Sequence, residues 1–518
     1  MGCKADGSYC LRNNSTNLRK VAAVVVIKLL LKSERILLQD IFRRIFLEDD
    51  VLAYFTVDNF RSINEPVELD LRANNYLKKH KNHVKLCGSA DHKTNVLRTA
   101  LLYGANASGK SNIIKAITYA VGLVRNDDSK SFADLYEPFK TRINEPSNFY
   151  FEFFSGDFFY RFGFTVKRGN IIKEELHYSF KQKSIELYKR EYDEDKKSYS
   201  IHSSLAPVHD FTAIRKEQTT LDKKSDAIEL NEELKGYEEY IQKTVEFSAL
   251  LRFTPNNELF MSKLIEILKD NKEFILNDIA EPACNFFSYQ LLTILPEQRM
   301  SVFDWSDDND SLEKRLKSFD SSIDRVVYSN ISTERFPETL INNVRRSLAS
   351  KEKISLDYKK NLYSFSLDEN GEVQAKIVNT VHVIDGKEIS FSLADESDGT
   401  IRLLDLLPIL YFAKNSEVTF VIDELDRSLH PLLAKRYMSS FLDNKSENCK
   451  SQLVITTHEA ELLDNELVRR DEIFFTQKET DSATKLYSLD DYSERYDKDI
   501  HKAYLSGKYG AIPNLLSC

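Results

Sequence analysis

The eight residues GANASGKS, from Gly104 to Ser111, constrain the fold of this chain more than any other feature. They follow a short apolar run over 99–103 and precede a helical pattern over 113–121, so a strand, a glycine-rich loop and a helix succeed one another. Such a loop is a P-loop, whose glycines let backbone N–H groups curve around phosphate oxygens at a helix N-terminus. The residues predicted to line this phosphate site are Gly104, Asn106, Ala107, Ser108, Gly109, Lys110, Ser111 and Asn112.

Two side chains of this loop have distinct predicted roles. Lys110 is expected to reach the β- and γ-phosphates of a nucleotide, and Ser111 to coordinate Mg²⁺. The alternative is a glycine turn that enters a helix beside an idle lysine. The strand before the loop and the helix after it argue against that alternative.

A second apolar run, 418–422, ends in two adjacent carboxylates, Asp423 and Glu424. An apolar strand that ends in Asp-Glu is common, but downstream of a P-loop it indicates a Walker B motif. Ligands of parallel α/β sheets bind at the carboxyl edge of the strands, where these side chains are expected to lie. Asp423 is predicted to hold Mg²⁺, directly or through water, and Glu424 to polarise the attacking water as a general base.

The next apolar strand is followed by Thr456, Thr457 and His458. An imidazole at the same sheet edge could sense the γ-phosphate, and we predict that role for His458. A single histidine after a strand is more often a loop or packing residue. The presence of the P-loop and the paired carboxylates favours the functional interpretation.

A polar loop, Glu396 to Thr400, lies just ahead of a helical pattern and upstream of the paired carboxylates. This order and spacing resemble the signature loop of ABC-type ATPases, in which many members carry Ser-Gly-Gly-Gln. A helix N-terminus with hydroxyls and a glycine N–H is a second anion site. The residues concerned are Ser397, Asp398, Gly399 and Thr400. The segment 425–431 then resembles the D-loop, with Asp426 at the dimer seam.

The pattern of elements predicts an α/β fold with a mixed, largely parallel core sheet, an antiparallel β subdomain and a helical insertion. Aromatic and β-branched runs between 148 and 200 indicate an antiparallel meander. Asp385-Gly386 between two β-type runs indicates a hairpin. After Thr400, helix and strand alternate, which is typical of a parallel sheet covered by helices. The motifs above belong to one predicted domain, the head, which is divided in sequence. The predicted segments are an extension 1–50, the first part of the head 51–215, a mainly helical insertion 216–350, the second part of the head 351–480, and a tail 481–518.

Composition sets wider limits. A chain of 518 residues is too long for one simple core. Its net charge of −9 is opposite to the basic charge that non-specific nucleic-acid binding needs, although a local basic groove is compatible with it. The apolar run 21–31 is interrupted by Lys28 and is shorter than the roughly 20 residues of a membrane-spanning helix. We therefore predict a cytoplasmic protein without a membrane segment. Scattered cysteines without metal-ligand spacing are predicted to be reduced thiols.

Residues 1–50 differ from the rest of the chain: they are polar at first, then mixed apolar and basic, and finally acidic before Val51. One explanation is a start codon assigned too early, with Val51 as the alternative start. The other is a genuine helix over about 20–46. Both interpretations are open at the sequence level.

Together these motifs resemble the ABC-like ATPases related to chromosome-maintenance and recombination-repair proteins. Within them, the chain is similar to the AAA-family ATPases of abortive-infection and restriction-linked phage-defence loci. The tail GKYGAIP, 507–513, belongs to the same resemblance, and Arg61 is expected to approach the nucleotide. Two departures matter. No glutamine can be assigned to Mg²⁺ and water, with Lys140 and Asn144 as unconvincing candidates, and the insertion lacks heptads for a long coiled coil.

The resemblance implies that two heads sandwich two ATP molecules with Mg²⁺, each bound by the P-loop of one copy and capped by the signature loop of the other. It also implies a sensor or regulator that controls a separate, nuclease-like effector. The rival hypothesis is an ATPase clamp on DNA in repair or recombination, with Lys223-Lys224 and Arg345-Arg346 as its basic residues. A transporter subunit is a third hypothesis, and GTP in place of ATP is a further variant.

Overall fold

The computed structural model describes most of the chain from Asp50 onward. The described residues are 50–88, 93–127, 132, 134–156, 158–180, 183–204, 244–270, 277–296, 298, 309–320, 322–348, 353–442, 451–492 and 499–512. Residues 1–49, which are all but the last residue of the predicted extension 1–50, lie outside this part. The beginning of the predicted insertion, 216–243, is also outside it.

Strands alternate with helices along the described chain. The strands are β1 Val51–Asp58, β2 Val67–Asp70, β3 Val84–Cys87, β4 Thr94–Leu97, β5 Thr99–Gly104, β6 Ser147–Ser155, β7 Phe158–Lys167, β8 Asn170–Phe180, β9 Lys183–Asp193, β10 Ser198–Ser203, β11 Leu291–Ile294, β12 Ile323–Ile331, β13 Lys353–Tyr358, β14 Asn361–Leu367, β15 Val373–Ile384, β16 Lys387–Ser392, β17 Thr419–Ile422, β18 Gln452–Thr456, β19 Ile473–Lys478 and β20 Thr484–Ser488. The α-helices with described bounds are α1 Lys110–Val124, α2 Phe260–Asp270, α3 Asn277–Asn285, α4 Asn309–Phe319, α5 Glu338–Leu348, α6 Asp398–Asn415, α7 Pro431–Leu442 and α8 Ile500–Leu505.

The core sheet is largely parallel, as predicted. Its strand order is β11-β17-β18-β5-β19-β20, and β20 runs antiparallel to β19. Successive side chains of β5 point to opposite faces, so Leu102 packs with helix α1 and Leu101 with helices α6 and α7. Both faces are therefore covered by helices, and the strand order brings the ends of β5, β17 and β18 together at one edge.

The aromatic runs form the predicted antiparallel meander. Strands β6 to β10 are consecutive neighbours in a seven-stranded sheet that continues through β1 to β2. In β6 the rings of Phe149, Phe151 and Phe153 alternate inward and are buried. The Phe153 ring stacks on Phe286 with centroids 4.2 Å apart, so the segment after α3 covers this face.

The predicted hairpin at Asp385-Gly386 is confirmed. Ile384 pairs with Lys387, which leaves these two residues as the loop, and their φ angles are 50° and 73°. Two successive positive φ angles are those of a type I′ turn, which matches the twist of the flanking strands. The hairpin belongs to a sheet with the order β12-β15-β14-β13, in which β16 pairs with β15.

Two strands lie inside the segment 216–350, which is predicted to be mainly helical. β11 lies inside it but pairs in parallel with β17 of the core sheet, and β12 lies inside it but pairs with β15. A four-residue apolar run such as Leu-Leu-Thr-Ile has too little length to show a period, and its partner lies more than a hundred residues away. The helical neighbours on both sides therefore dominated the prediction.

Within the described part of the chain, no helix is both long and apolar enough to span a membrane. Cys87 and Cys284 are buried thiols. Burial raises the pKa of the Cys284 thiol above its ordinary range, so this side chain acts as a small apolar core residue.

Candidate functional site

The P-loop connects β5 to α1 at the edge where the parallel strands end. Gly109 has a φ of 107° and Ala107 a φ of 62°, so the loop turns back on itself before the helix begins. The Lys110 ammonium donates to the carbonyl oxygens of Gly104 at 2.7 Å and Ala105 at 3.3 Å. The Lys110 side chain thus lies inside the loop and connects its end to its beginning.

Lys110 lies in an environment that opposes its own charge. Burial lowers its pKa to about 8, and the nearby carboxylates of Asp423, Asp426 and Glu424 act in the opposite direction. Because an ammonium buried without a full counter-charge gains from an anion, this lysine favours a phosphate ligand.

Asp423 lies at the end of β17 and receives two hydroxyl hydrogen bonds. Ser111 Oγ donates to its Oδ1 over 3.1 Å, and Thr456 Oγ1 donates to the same atom over 2.5 Å. Its backbone N–H donates to the carbonyl of Ile294 at the end of β11, over 2.9 Å. A hydroxyl and a carboxylate in contact form a hard oxygen donor set, which fits Mg²⁺. Among the described residues, no group of three or more His, Cys, Asp or Glu side chains is placed to hold a metal ion.

Glu424 follows Asp423 with a left-handed backbone, φ 50°. Its N–H donates to Thr456 Oγ1 over 2.8 Å, so one threonine holds both residues of the carboxylate pair. A non-glycine residue at positive φ is uncommon and must be held by its surroundings. This turn leaves the Glu424 carboxylate half-buried at the sheet edge.

Arg402 is a functional candidate that the sequence interpretation missed. It extends from α6, just after the signature loop, and its side chain donates to the carbonyls of Glu424 at 2.9 Å, Asp423 at 3.3 Å and Leu425 at 3.5 Å. The guanidinium is buried, and burial lowers its pKa. A charged residue inside the leucine-rich stretch that follows Thr400 was the available signal. Arg402 links helix α6, which follows the signature loop, to residues 423–425, the carboxylate loop, of the same chain.

His458 contacts Asp426, the aspartate of the D-loop, through its backbone. The His458 backbone N–H donates to Asp426 Oδ2 at 3.1 Å. Burial, followed by the charge of Lys110, lowers the pKa of the imidazole, while Asp426 and Glu424 act against this. A lowered pKa favours the neutral imidazole, which can both accept and donate a hydrogen bond.

The signature loop begins α6 with a built-in cap. Ser397 Oγ accepts from the Thr400 N–H at 3.0 Å and lies 2.9 Å from the Thr400 hydroxyl. A Cβ on Gly399 would lie 2.7 Å from the carbonyl oxygen of Ser428, so only glycine fits against the D-loop here. Asp398 occupies the first turn of the helix. The loop and the D-loop therefore form one surface.

The remaining predicted residues have other contacts. The Arg61 guanidinium donates to the carbonyl of Leu135 at 2.8 Å, so it holds the segment after α1. The Ser108 hydroxyl lies 2.5 Å from that of Thr476, and the Asn112 amide donates to Ser62 at 2.6 Å. Both P-loop side chains thus bond to neighbouring strands and loops. The exposed residues Asn106 and Ala107 form the tip of the loop.

Two further sets of candidates are explained by local contacts. Lys140 is exposed and pairs with Glu137, while Asn144 accepts from Arg168 at 2.8 Å. Of the basic residues considered for DNA, Arg345 pairs with Glu372 at 2.8 Å. Arg346 donates to Asn343 at 2.6 Å, and Lys223 and Lys224 lie outside the described residues.

A strand, P-loop and helix beside a carboxylate-ended parallel strand define the class of P-loop nucleotide-binding proteins. The model of one family matches residues 100–464, which is most of the chain. The chain therefore belongs to the family described as "AAA domain, putative AbiEii toxin, Type IV TA system". No curated protein matches the chain.

The chain is loosely similar to solved SMC head structures. They include an SMC head bound to the C-winged helix domain of ScpA, with 12% identity, 84% of this chain and 97% of that chain covered, and a TM-score of 0.32. The SMC head domain from Thermotoga maritima has 12% identity, coverages of 84% and 98%, and a TM-score of 0.30. A head with an extended coiled coil, bound to a ScpA domain derived from Pyrococcus furiosus, has 12% identity, coverages of 89% and 99%, and a TM-score of 0.28. Scores this low describe an overall resemblance and identify no shared activity.

Proposed function

We propose that this chain binds and hydrolyses ATP as an ABC-type ATPase whose sites form between two copies. The observation that carries the proposal is the contact of Ser111 Oγ with Asp423 Oδ1, 3.1 Å, beside the inward-pointing Lys110. A P-loop hydroxyl and a strand-end carboxylate in contact are what Mg²⁺-nucleotide binding requires. Family membership supports the same conclusion.

In this proposal Lys110 exchanges its carbonyl partners, Gly104 and Ala105, for the β- and γ-phosphate oxygens. Ser111 and Asp423 hold Mg²⁺, which neutralises charge on the phosphates when bound. Glu424 takes the proton of the attacking water, and His458 contacts the γ-phosphate. The backbone of Glu424 is held at the sheet edge, because its N–H donates to Thr456 and its carbonyl accepts from Arg402. The backbone that carries the carboxylate is therefore fixed before nucleotide binds.

We further propose that the signature loop of each copy caps the nucleotide of the other. The loop presents the N-terminus of the 18-residue helix α6, with Ser397 and Thr400 at its start. A helix N-terminus and its hydroxyls favour an anion. Asp426 lies on the neighbouring D-loop and bonds to His458, so the surface that meets the partner is connected to the proposed γ-phosphate sensor.

For the cellular role, we propose a regulator of an anti-phage defence system that controls a separate effector, nuclease-like in the resemblance. The support is the family, whose description names a toxin of a Type IV toxin–antitoxin system. Nucleotide state would then change the distance between two heads and so expose or cover a partner surface.

The test is native mass and ATP turnover of the wild type, measured with ATP and Mg²⁺, with ATP and EDTA, and without nucleotide. We expect a dimer with ATP and Mg²⁺, and a monomer in the other two conditions. Lys110→Met keeps the length of the side chain but removes its charge, so this control should stay monomeric and inactive.

Two results would contradict the proposal. A wild type that neither binds nor hydrolyses ATP removes the enzymatic claim. Turnover that rises with added duplex DNA and falls steeply with salt would instead favour the DNA clamp. Pull-down from the native host tests the cellular role, because an effector retained in one nucleotide state is expected.

A further inference from the structure

The hairpin formed by β19 and β20 lies directly behind the P-loop. β19 pairs in parallel with β5, so that Thr476 lies opposite Gly104, the first residue of the loop. β20 returns antiparallel and begins at Thr484. Both threonines are buried, and both are more than 360 residues away from the loop in sequence.

Thr484 is the centre of a continuous chain of hydrogen bonds. Its hydroxyl donates to the carbonyl of Ser108 at 3.0 Å. The Ser62 hydroxyl lies 2.7 Å from Thr484 Oγ1, and the Asn112 amide donates to Ser62 at 2.6 Å. Because Thr484 uses its own proton on Ser108, the Ser62 proton must go to Thr484. These hydrogen bonds thus join the start of α1 to the P-loop backbone.

Thr476 makes a second, parallel connection. Its hydroxyl donates to the Tyr103 carbonyl at 3.1 Å, and it lies 2.5 Å from the Ser108 hydroxyl, which therefore donates to it. Ser108 is held through its carbonyl by Thr484 and through its hydroxyl by Thr476. One residue in the middle of the P-loop is consequently fixed from two sides.

The fit between hairpin and loop is close enough to determine which residues the loop accepts. A Cβ on Gly109 would lie 1.9 Å from Thr484 Oγ1, and Gly109 has a φ of 107°. A Cβ on Gly104 would lie 2.2 Å from Thr476 Oγ1. The hairpin therefore requires glycine at both positions, and at Gly109 the positive φ requires it as well.

The tail motif supports the hairpin from its other face. Phe475, next to Thr476, stacks on Tyr509 with ring centroids 5.0 Å apart. A Cβ on Gly510 would approach Gln477 Oε1 to 2.9 Å, so the tail also lies close against β19. Tail, hairpin and P-loop form successive layers.

We propose that Thr484, assisted by Ser62 and Thr476, is a positioning residue for nucleotide binding. This inference rests on the proposed ATP site. The hydroxyls hold the P-loop backbone in its phosphate-binding shape before the nucleotide arrives, so that binding does not have to order the loop. Without the Thr484 hydroxyl, the Ser62 proton and the Ser108 carbonyl lose their partner inside the protein.

The experiment compares Thr484→Val, which removes the hydroxyl but keeps the shape, with Thr484→Ser, which keeps the hydroxyl. For Thr484→Val we expect the Kd for ATP with Mg²⁺, and the KM, to rise about tenfold, with kcat changed less than about twofold. Thr484→Ser should stay within about threefold of the wild type. The matched control is Thr480→Val, an exposed threonine in the turn of the same hairpin, which should leave both constants unchanged.

Ser62→Ala is the second variant, and it is informative if Thr484→Val does not fold. Since Ser62 and Thr484 belong to one chain of hydrogen bonds, Ser62→Ala should also weaken ATP binding, and the double variant should lose less than the two single changes added together. A role limited to stability would instead lower the unfolding temperature without a selective rise in KM.

The outcomes separate this inference from the proposed function. If the wild type binds ATP and Thr484→Val binds it equally well, the positioning role is wrong and the ATP site stands. If Thr484→Val and Thr484→Ser are impaired alike, the hydroxyl is not the cause and the inference again fails. A wild type that does not bind ATP overturns both.

Discussion

Replacing Glu424 with glutamine is expected to abolish ATP turnover while leaving ATP binding intact. The amide keeps the size of the side chain but cannot take a proton from water, and loss of a general base lowers kcat by about 10²–10⁴-fold. Lys110, Ser111 and Asp423 are untouched, so the nucleotide still binds. In the proposed cycle hydrolysis separates the two heads, so the variant dimer should accumulate with ATP and Mg²⁺.

The measurement is steady-state turnover together with native mass, with and without ATP and Mg²⁺. Glu461→Gln is a suitable control, since Glu461 is an exposed carboxylate a few residues beyond His458. It should hydrolyse ATP at the wild-type rate. A Glu424→Gln protein that stays monomeric with ATP would count against two heads sharing nucleotide, and one that keeps full turnover would remove Glu424 as the base.

The second large effect is expected at Arg402. Arg402→Met removes the side-chain donor from the carbonyls of Asp423 and Leu425, while the Glu424 carbonyl keeps the Arg427 N–H at 3.1 Å. Removing one partner from a buried network costs about 1–3 kcal/mol for each group left unpaired. We expect the unfolding temperature to fall by several degrees and kcat to fall at least about tenfold, because Glu424 loses its support.

Arg402→Lys separates charge from geometry. A single ammonium cannot reproduce a planar fork that reaches three carbonyls, so this variant should regain part of the stability but little of the turnover. Arg436→Met is the comparison, because Arg436 is an exposed arginine on α7 whose guanidinium packs over the Phe319 ring. If Arg402→Met hydrolyses ATP as fast as this control, the arginine has no part in placing Glu424.

Signals confined to a few neighbouring residues were sufficient for much of this protein. The P-loop, the aromatic meander, the Asp385-Gly386 hairpin and the strand that ends at Asp423 all follow from local patterns. In each case the cause is local: glycine freedom, alternation along a strand, or paired positive φ angles. Such features can be recognised from the local sequence wherever they occur in the chain.

The sequence by itself therefore determined the class of site and the α/β character of the fold, because motif chemistry is set by residues adjacent in the chain. Only the tertiary structure decided that β11 joins the core sheet, that Arg402 holds the carboxylate loop, and that Thr484 meets the P-loop. The physical reason is that each of these depends on partners that no local period reveals. For Thr484 the partner lies 376 residues away, and its hydroxyl looks like any other until the fold brings it to Ser108.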